Sequence, residues 1–361
     1  PITWHGASSF DLAEPVHAGK SYGWSDAFGD AAIRLADADR RVWVLTPAMR
    51  EGSGLVAYSR RHPDRYLDVG IAEDVAVTTA AGMALQGERP IVAIYSTFLQ
   101  RGFDQVVHDV SIENLDVTFA IDRAGLVGGD GATHQGVYDL AYLRALPNLS
   151  VAMPRDATQM RAMLKEAQRL GGPKAVRWPR GSVQAAPDAP VAAWDAIKWG
   201  RGEVVKDGTD LWLLGLGPTV GYALAAAANE PRVGVVDARF VKPLDADLIV
   251  RLARSGAKLV TIEDHTLPGG FGSAVAELLS DRGVHASLER LGIPDVIVPH
   301  GDPKAQHEAF GFGPEALRER VRIWLDAIPA GSGATATRAG TADATDRPVA
   351  SASRSDDRAP N

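Results

Sequence analysis

Three short stretches between residues 68 and 136 concentrate side chains able to do chemistry. The first, Asp68 to Glu73, reads Asp-Val-Gly-Ile-Ala-Glu. The second, Ile94 to Arg101, reads Ile-Tyr-Ser-Thr-Phe-Leu-Gln-Arg. The third, Asp122 to Gly136, carries Arg123, Asp130 and His134 among glycines. Arginine suits phosphate, because its planar fork can bind oxygens in two places. Histidine suits proton shuttling, because its pKa lies near neutrality. A carboxylate at Glu73 would sit favourably in the first turn of a helix. Each residue also has an ordinary reading. A first-turn Glu is usually solvated, and a Phe after a strand is usually core. Tyr95 alone reads as a buried tyrosine with a satisfied hydroxyl, and Arg101 or a loop histidine as surface.

The three stretches each follow or contain a short β-type apolar run. In an α/β sheet, ligands bind where strands end and helices begin, so three such ends can share one crevice. The surrounding pattern supplies those elements. Ser25 is expected to cap a helix over 26–38, followed by a strand over 41–45. The spacing then predicts a strand at 66–69, a helix over 72–85, a strand over 90–95, a helix over 103–112 and a strand over 117–121. A helix over 138–146, a strand over 149–153, a helix over 157–169 and a strand over 175–178 complete the first half. The second half repeats the alternation: strands at 210–214, 233–237 and 258–263, with helices at 220–228, 245–254, 272–280 and 315–327. Such alternation predicts parallel sheets covered on both faces, that is, two doubly wound α/β domains. The expected division is a linker over 1–20, a domain over 21–182, a linker over 183–200, a domain over 201–328 and a disordered tail over 329–361. The tail is rich in Ala, Gly, Ser, Thr and Asp without apolar periodicity, so little would offset its ordering entropy.

The bulk numbers exclude several function classes. The 361 residues are 45% hydrophobic, enough for two cores. A net charge of −7 argues against a general nucleic-acid binder. The absence of cysteine excludes disulfides, Cys–zinc sites and thiol nucleophiles, and fits a cytoplasmic setting. No apolar run of about 18 residues predicts a membrane span. The chain opens on Pro1 rather than Met, which reads as the C-terminal part of a longer protein.

Taken together, the blocks resemble the pyrimidine-binding domain of thiamine-diphosphate enzymes. The strings Thr46 to Gly54 (T-P-A-M-R-E-G-S-G) and Tyr95 to Arg101 resemble 1-deoxy-D-xylulose-5-phosphate synthases, relatives of transketolase. The resemblance runs from about Ser21 to Leu325. It implies a transketolase-like pyrimidine-binding domain followed by a transketolase C-terminal domain. It also implies thiamine diphosphate as cofactor and a homodimer, in a transferase of isoprenoid and thiamine biosynthesis. The implied reaction joins pyruvate, after decarboxylation, to glyceraldehyde 3-phosphate. Glu73 matches the carboxyl group that meets the pyrimidine ring nitrogen and promotes its imino tautomer. Many relatives follow that Glu with Gln-His, whereas Asp74 and Val75 follow here, so Glu73 alone is carried over. Phe98 matches the stacking residue, Arg101 a position near the cofactor, and Tyr95 a substrate-pocket residue. Arg123, Asp130, His134 and Arg180 match the acceptor pocket, with His134 as the proton shuttle. The family's N-terminal domain, which holds the diphosphate and Mg2+, has no counterpart in this sequence. A partner domain or subunit is therefore expected, and the chain alone is expected to be inactive.

Two motifs compete with this reading. Gly129-Asp130-Gly131 looks like the start of a metal–diphosphate motif, but the nearest following asparagine, Asn148, is too close. No metal site is expected there. Gly215, Gly217 and Gly221 after a strand, with Asp237 closing the next one, approximate a dinucleotide fingerprint. The spacing is one residue too long, and Pro218 removes an amide donor at the turn. The rival functions are a split transketolase subunit, a 2-oxoacid dehydrogenase β subunit and a non-catalytic metabolite-binding partner.

Overall fold

The computed structural model describes residues 21–328, so the expected linker over 1–20 and tail over 329–361 lie outside the described residues. The strands are β1 (Val42–Thr46), β2 (Tyr66–Asp68), β3 (Arg89–Tyr95), β4 (Thr118–Asp122), β5 (Ser150–Ala152) and β6 (Lys174–Arg177) in the first half. The second half holds β7 (Glu203–Lys206), β8 (Leu211–Gly215), β9 (Val233–Asp237), β10 (Phe240–Lys242), β11 (Lys258–Thr266) and β12 (Leu288–Ile293). They form two sheets, ordered β10-β5-β6-β4-β3-β1-β2 and β12-β11-β8-β9-β7. Helices between the strands cover the sheets, as the alternation predicts.

Neither sheet is wholly parallel, which corrects the sequence expectation. β10 pairs antiparallel with β5, and β7 pairs antiparallel with β9. Both strands sit at a sheet edge. β10 leaves the second half of the chain and completes the first sheet, so the halves are tied by a strand as well as by packing. Its three residues are too few to show a period. One apolar cluster also runs across both halves, joining Val92, Ile94 and Ile121 to Trp212, Leu248 and Phe271. Burial of this continuous surface is the main force holding the halves together.

Polar groups cross the same seam. Arg177 and Asp139, both in the first half, form a fully buried pair on that side of the seam, with Nε–Oδ2 at 2.8 Å and Nη2–Oδ1 at 3.1 Å. From the second half, His265 Nε2 accepts the Leu140 amide at 3.1 Å, while Nδ1 meets the Thr266 carbonyl at 2.7 Å. Burial pushes the His265 imidazole down to about 4, so it sits neutral in this role. Asp237 accepts from Gln159 at 2.7 Å and from Arg155 at 2.9 Å. The one carboxylate of the dinucleotide-like pattern is thus engaged across the seam, turned away from any ribose role.

Two local expectations change. Gly23, not Ser25, is the N-cap of helix Trp24–Ala38, and its amide donates to Asp26 at 2.9 Å. Ser25 lies in the first turn with its hydroxyl turned to the sheet. The helix expected over 103–112 is a short α segment, Phe103–Gln105, running into a π-helix, Val106–Ser111. The wider turn is marked by Ile112 bonding back to Val107 at 3.0 Å.

Candidate active site

The strands β2, β1, β3, β4 and β6 are neighbours and parallel, so their C-terminal ends open on one rim. Glu73 opens helix Glu73–Leu85 just beyond β2, and Tyr95 is the last residue of β3. Arg123 follows the last residue of β4, and Arg180 lies three residues beyond β6. Topology alone therefore brings the sequence-selected residues to a common edge, where a ligand of an α/β sheet is expected.

Glu73 is not the solvated residue that its position ordinarily means. It is 4% exposed. Its carboxylate lies 3.8 Å from the Arg101 guanidinium, which is 66% exposed. Among the described residues no donor comes within hydrogen-bond distance of that carboxylate. The carboxylate is therefore free to accept from a ligand donor. The run Ser96–Leu99 holds Phe98 and continues into Gln100–Gly102, which packs on helix Glu73–Leu85 and brings Arg101 to its start.

Rings line the adjoining wall. Phe98 and Tyr95 stack with centroids 5.7 Å apart at 15°, and His134 meets Phe98 edge-on at 5.5 Å. The His134 ring contacts the Thr133 hydroxyl through Nδ1 at 2.9 Å, and Thr97 donates to the Thr133 carbonyl at 2.9 Å. Burial pushes the Tyr95 phenol up, so it stays protonated and able to donate. Gly52 is required beside it, because a Cβ there would sit 1.7 Å from the Tyr95 hydroxyl oxygen.

Arg123 stacks over Tyr95, with Cζ 4.3 Å from the ring centroid. Its Nη1 alone is committed: to Ser25 Oγ at 2.8 Å, the Gly52 carbonyl at 2.7 Å and Asp122 Oδ2 at 2.7 Å. The other guanidinium nitrogens are left for a ligand. Burial works against the Arg123 charge, and the Asp122 carboxylate outweighs it. Asp122 is wholly buried and also accepts the Ser25 hydroxyl at 2.8 Å. Sequence reading missed both Asp122 and Ser25 as site residues. The Asp-Arg step at a strand end was a signal for the first; the second was hidden by its resemblance to a helix cap. Arg180 pairs with Asp130 at 2.8 Å, both half-exposed, and both act on the Tyr95 phenol. The geometry thus links Arg180 to Asp130 directly, rather than leaving both arginines bare. Among the described residues, no group of three or more His, Cys, Asp or Glu is placed to hold a metal.

Comparison with known proteins identifies the two domains that carry these residues. The family "Transketolase, pyrimidine binding domain" matches residues 20–185, and "Transketolase, C-terminal domain" matches 200–317. A solved split-gene transketolase, titled an inactive β4 tetramer, is 31% identical, with a TM-score of 0.73 over 85% of this chain and 99% of that one. The chain belongs to the transketolase family. Within it, the 1-deoxy-D-xylulose-5-phosphate synthase of Thermus thermophilus is 57% identical over 321 residues, covering 89% of this chain and 51% of the relative. The Symbiobacterium thermophilum synthase is 47% identical over 329 residues, covering 90% of this chain and 50% of the relative. The chain therefore spans about half the length of these relatives. The transketolase of Leishmania mexicana, at 19% identity and a TM-score of 0.70, shares the fold. The family implies thiamine diphosphate as the cofactor. The residues present, a nearly buried carboxylate at Glu73 and the Phe98 ring on the same rim, are of the kinds its pyrimidine end would take, and among the described residues no group is placed to hold a divalent metal. No described helix is long and apolar enough to cross a membrane.

Proposed function

We propose that this chain supplies the pyrimidine-activating and acceptor-binding half of a 1-deoxy-D-xylulose-5-phosphate synthase. The reaction condenses pyruvate with glyceraldehyde 3-phosphate, releasing CO2 and forming 1-deoxy-D-xylulose 5-phosphate. The observation that carries the reading is the convergence of Glu73, Tyr95, Phe98, Arg123 and His134 on one rim. When bound, thiamine diphosphate supplies a carbon nucleophile. Glu73 would hold a proton against the pyrimidine ring nitrogen from its nearly buried position. Phe98 offers its face to the ring, and Arg101 flanks the Glu73 carboxylate. Arg123 and Arg180 hold the acceptor phosphate, Asp130 orients a substrate hydroxyl, and His134 moves a proton at the new bond. Tyr95 fixes the Arg123 plane. Mg2+ and the diphosphate are held by an N-terminal domain or partner subunit. The complete enzyme is a cytoplasmic homodimer feeding isoprenoid, thiamine and pyridoxal synthesis.

A second reading is favoured by one observation, the 31% identity to a split-gene transketolase over nearly all of that chain. On that reading the chain is a separate subunit, and the donor is a ketose phosphate. Reconstitution separates them. Residues 1–361, combined with a diphosphate-binding half, Mg2+ and thiamine diphosphate, should turn over pyruvate with glyceraldehyde 3-phosphate. Turnover of ketose phosphate donors instead would select the second reading. Turnover by 1–361 alone would overturn the requirement for a second half.

A further inference from the structure

The loop that carries Asp130 and His134 is closed at its neck by two backbone bonds, Gly125 N to Gly136 O at 2.7 Å and Gly136 N to Gly125 O at 2.8 Å. What holds the neck in place comes from the other half of the chain. Asp264 lies near the end of β11, where alternation sends Glu263 and His265 to one face and Asp264 to the other. Both Asp264 oxygens lie 3.2 Å from the Leu126 amide. Gly125 has φ +87°, and a Cβ there would fall 2.2 Å from Asp264 Oδ2. The carboxylate occupies the space that any side chain at 125 would need.

A carboxylate this buried needs a partner, and it has one. His307 Nε2 lies 3.2 Å from Asp264 Oδ2, and His307 Nδ1 lies 3.3 Å from the Tyr222 hydroxyl. Further along the loop, Gln135 takes the Val127 amide at 2.9 Å and donates to the Pro299 carbonyl at 3.1 Å. The Gly301 amide reaches the Gly128 carbonyl at 3.3 Å. The C-terminal domain therefore grips the outer side of a loop whose inner side faces Phe98 and Arg180.

We propose that Asp264 and His307 are a positioning pair for the acceptor site, fixing the loop 125–136 so that His134 and Asp130 meet the acceptor in register. The inference rests on the acceptor-pocket reading above. It gives the C-terminal domain a part in the reaction geometry that packing alone would not require. A misplacement of about 1 Å in such a group can cost a rate factor on the order of a hundred.

Two measurements test it. Hydrogen exchange on 1–361 alone reads the loop without any activity. Asp264→Ala should speed exchange of the loop amides by about tenfold or more, as expected for losing a bond to a charged acceptor, while helix Ala157–Arg169 is unchanged. Asp264→Asn, which keeps an acceptor oxygen, should restore part of that protection. In the reconstituted two-half enzyme, Asp264→Ala should raise the acceptor KM and lower kcat without raising the pyruvate KM. His307→Gln should show the same pattern more weakly, and it serves if Asp264→Ala does not fold. Unchanged loop exchange, or exchange raised uniformly through the chain, overturns the proposal. If the loop loosens but the acceptor KM holds, Arg123→Ala decides. An acceptor KM raised by Arg123→Ala alone rejects the pair's role; one raised by neither rejects the acceptor reading itself.

Discussion

The guanidinium of Arg123 lies over the Tyr95 ring, Cζ 4.3 Å from its centroid, and is anchored through Nη1 alone. Three acceptors around one nitrogen hold the guanidinium and leave Nε and Nη2 without a protein acceptor among the described residues. Arg123→Ala should therefore raise the acceptor KM of the reconstituted enzyme by about ten- to a hundredfold, the range for hydrogen bonds to a charged group. Arg123→Lys should recover little, because a point charge cannot hold Asp122, Ser25 and Gly52 and still present a planar fork. Steady-state kinetics with acceptor varied checks both.

The buried ion pair of the first half makes a stability prediction. Asp139 and Arg177 are both fully buried, so removing one partner strands a charge. Asp139→Ala should cost about 3–5 kcal/mol in denaturant unfolding. Replacing both partners with apolar residues, Asp139→Leu with Arg177→Met, should cost less than the single change.

The Asp264–His307 contact makes a prediction about pH. Burial pushes His307 down, but Asp264, with Glu308 and Asp302 nearby, outweighs it and holds the imidazole above its ordinary value. Tyr222 faces the ring from the other side. A histidine raised in the folded state stabilises fully below its ordinary pKa, about 6.5, and that contribution is lost as pH rises through the raised value. Loop protection in hydrogen exchange, corrected for intrinsic rates, should fall across that window. His307→Gln should flatten the dependence.

Much of this was legible in the sequence because the chemistry lies at strand ends. Tyr95 ends, and Phe98 and Arg123 follow, apolar runs long enough to read, and the structure brings them with Glu73 to one rim. What was not legible was short or distant. β10 has three residues and no period, yet it joins the first sheet from the second half. Asp264 sits more than a hundred residues from the Leu126 amide it holds, and nothing local marks it. Ser25 looked like a cap because its residue type suits one; the role passed to Gly23 because the chain enters from a bridge to Ser182, and the Ser25 hydroxyl was free to reach Asp122.

The central claim is that a nearly buried acid meets the cofactor's pyrimidine, and Glu73→Ala in the reconstituted two-half enzyme tests it most directly. At saturating thiamine diphosphate and Mg2+, the account predicts a loss of about 10²–10⁴-fold in kcat, the range for a general acid–base group. The fold and the melting transition of 1–361 should be retained. A variant that keeps wild-type turnover would contradict the account.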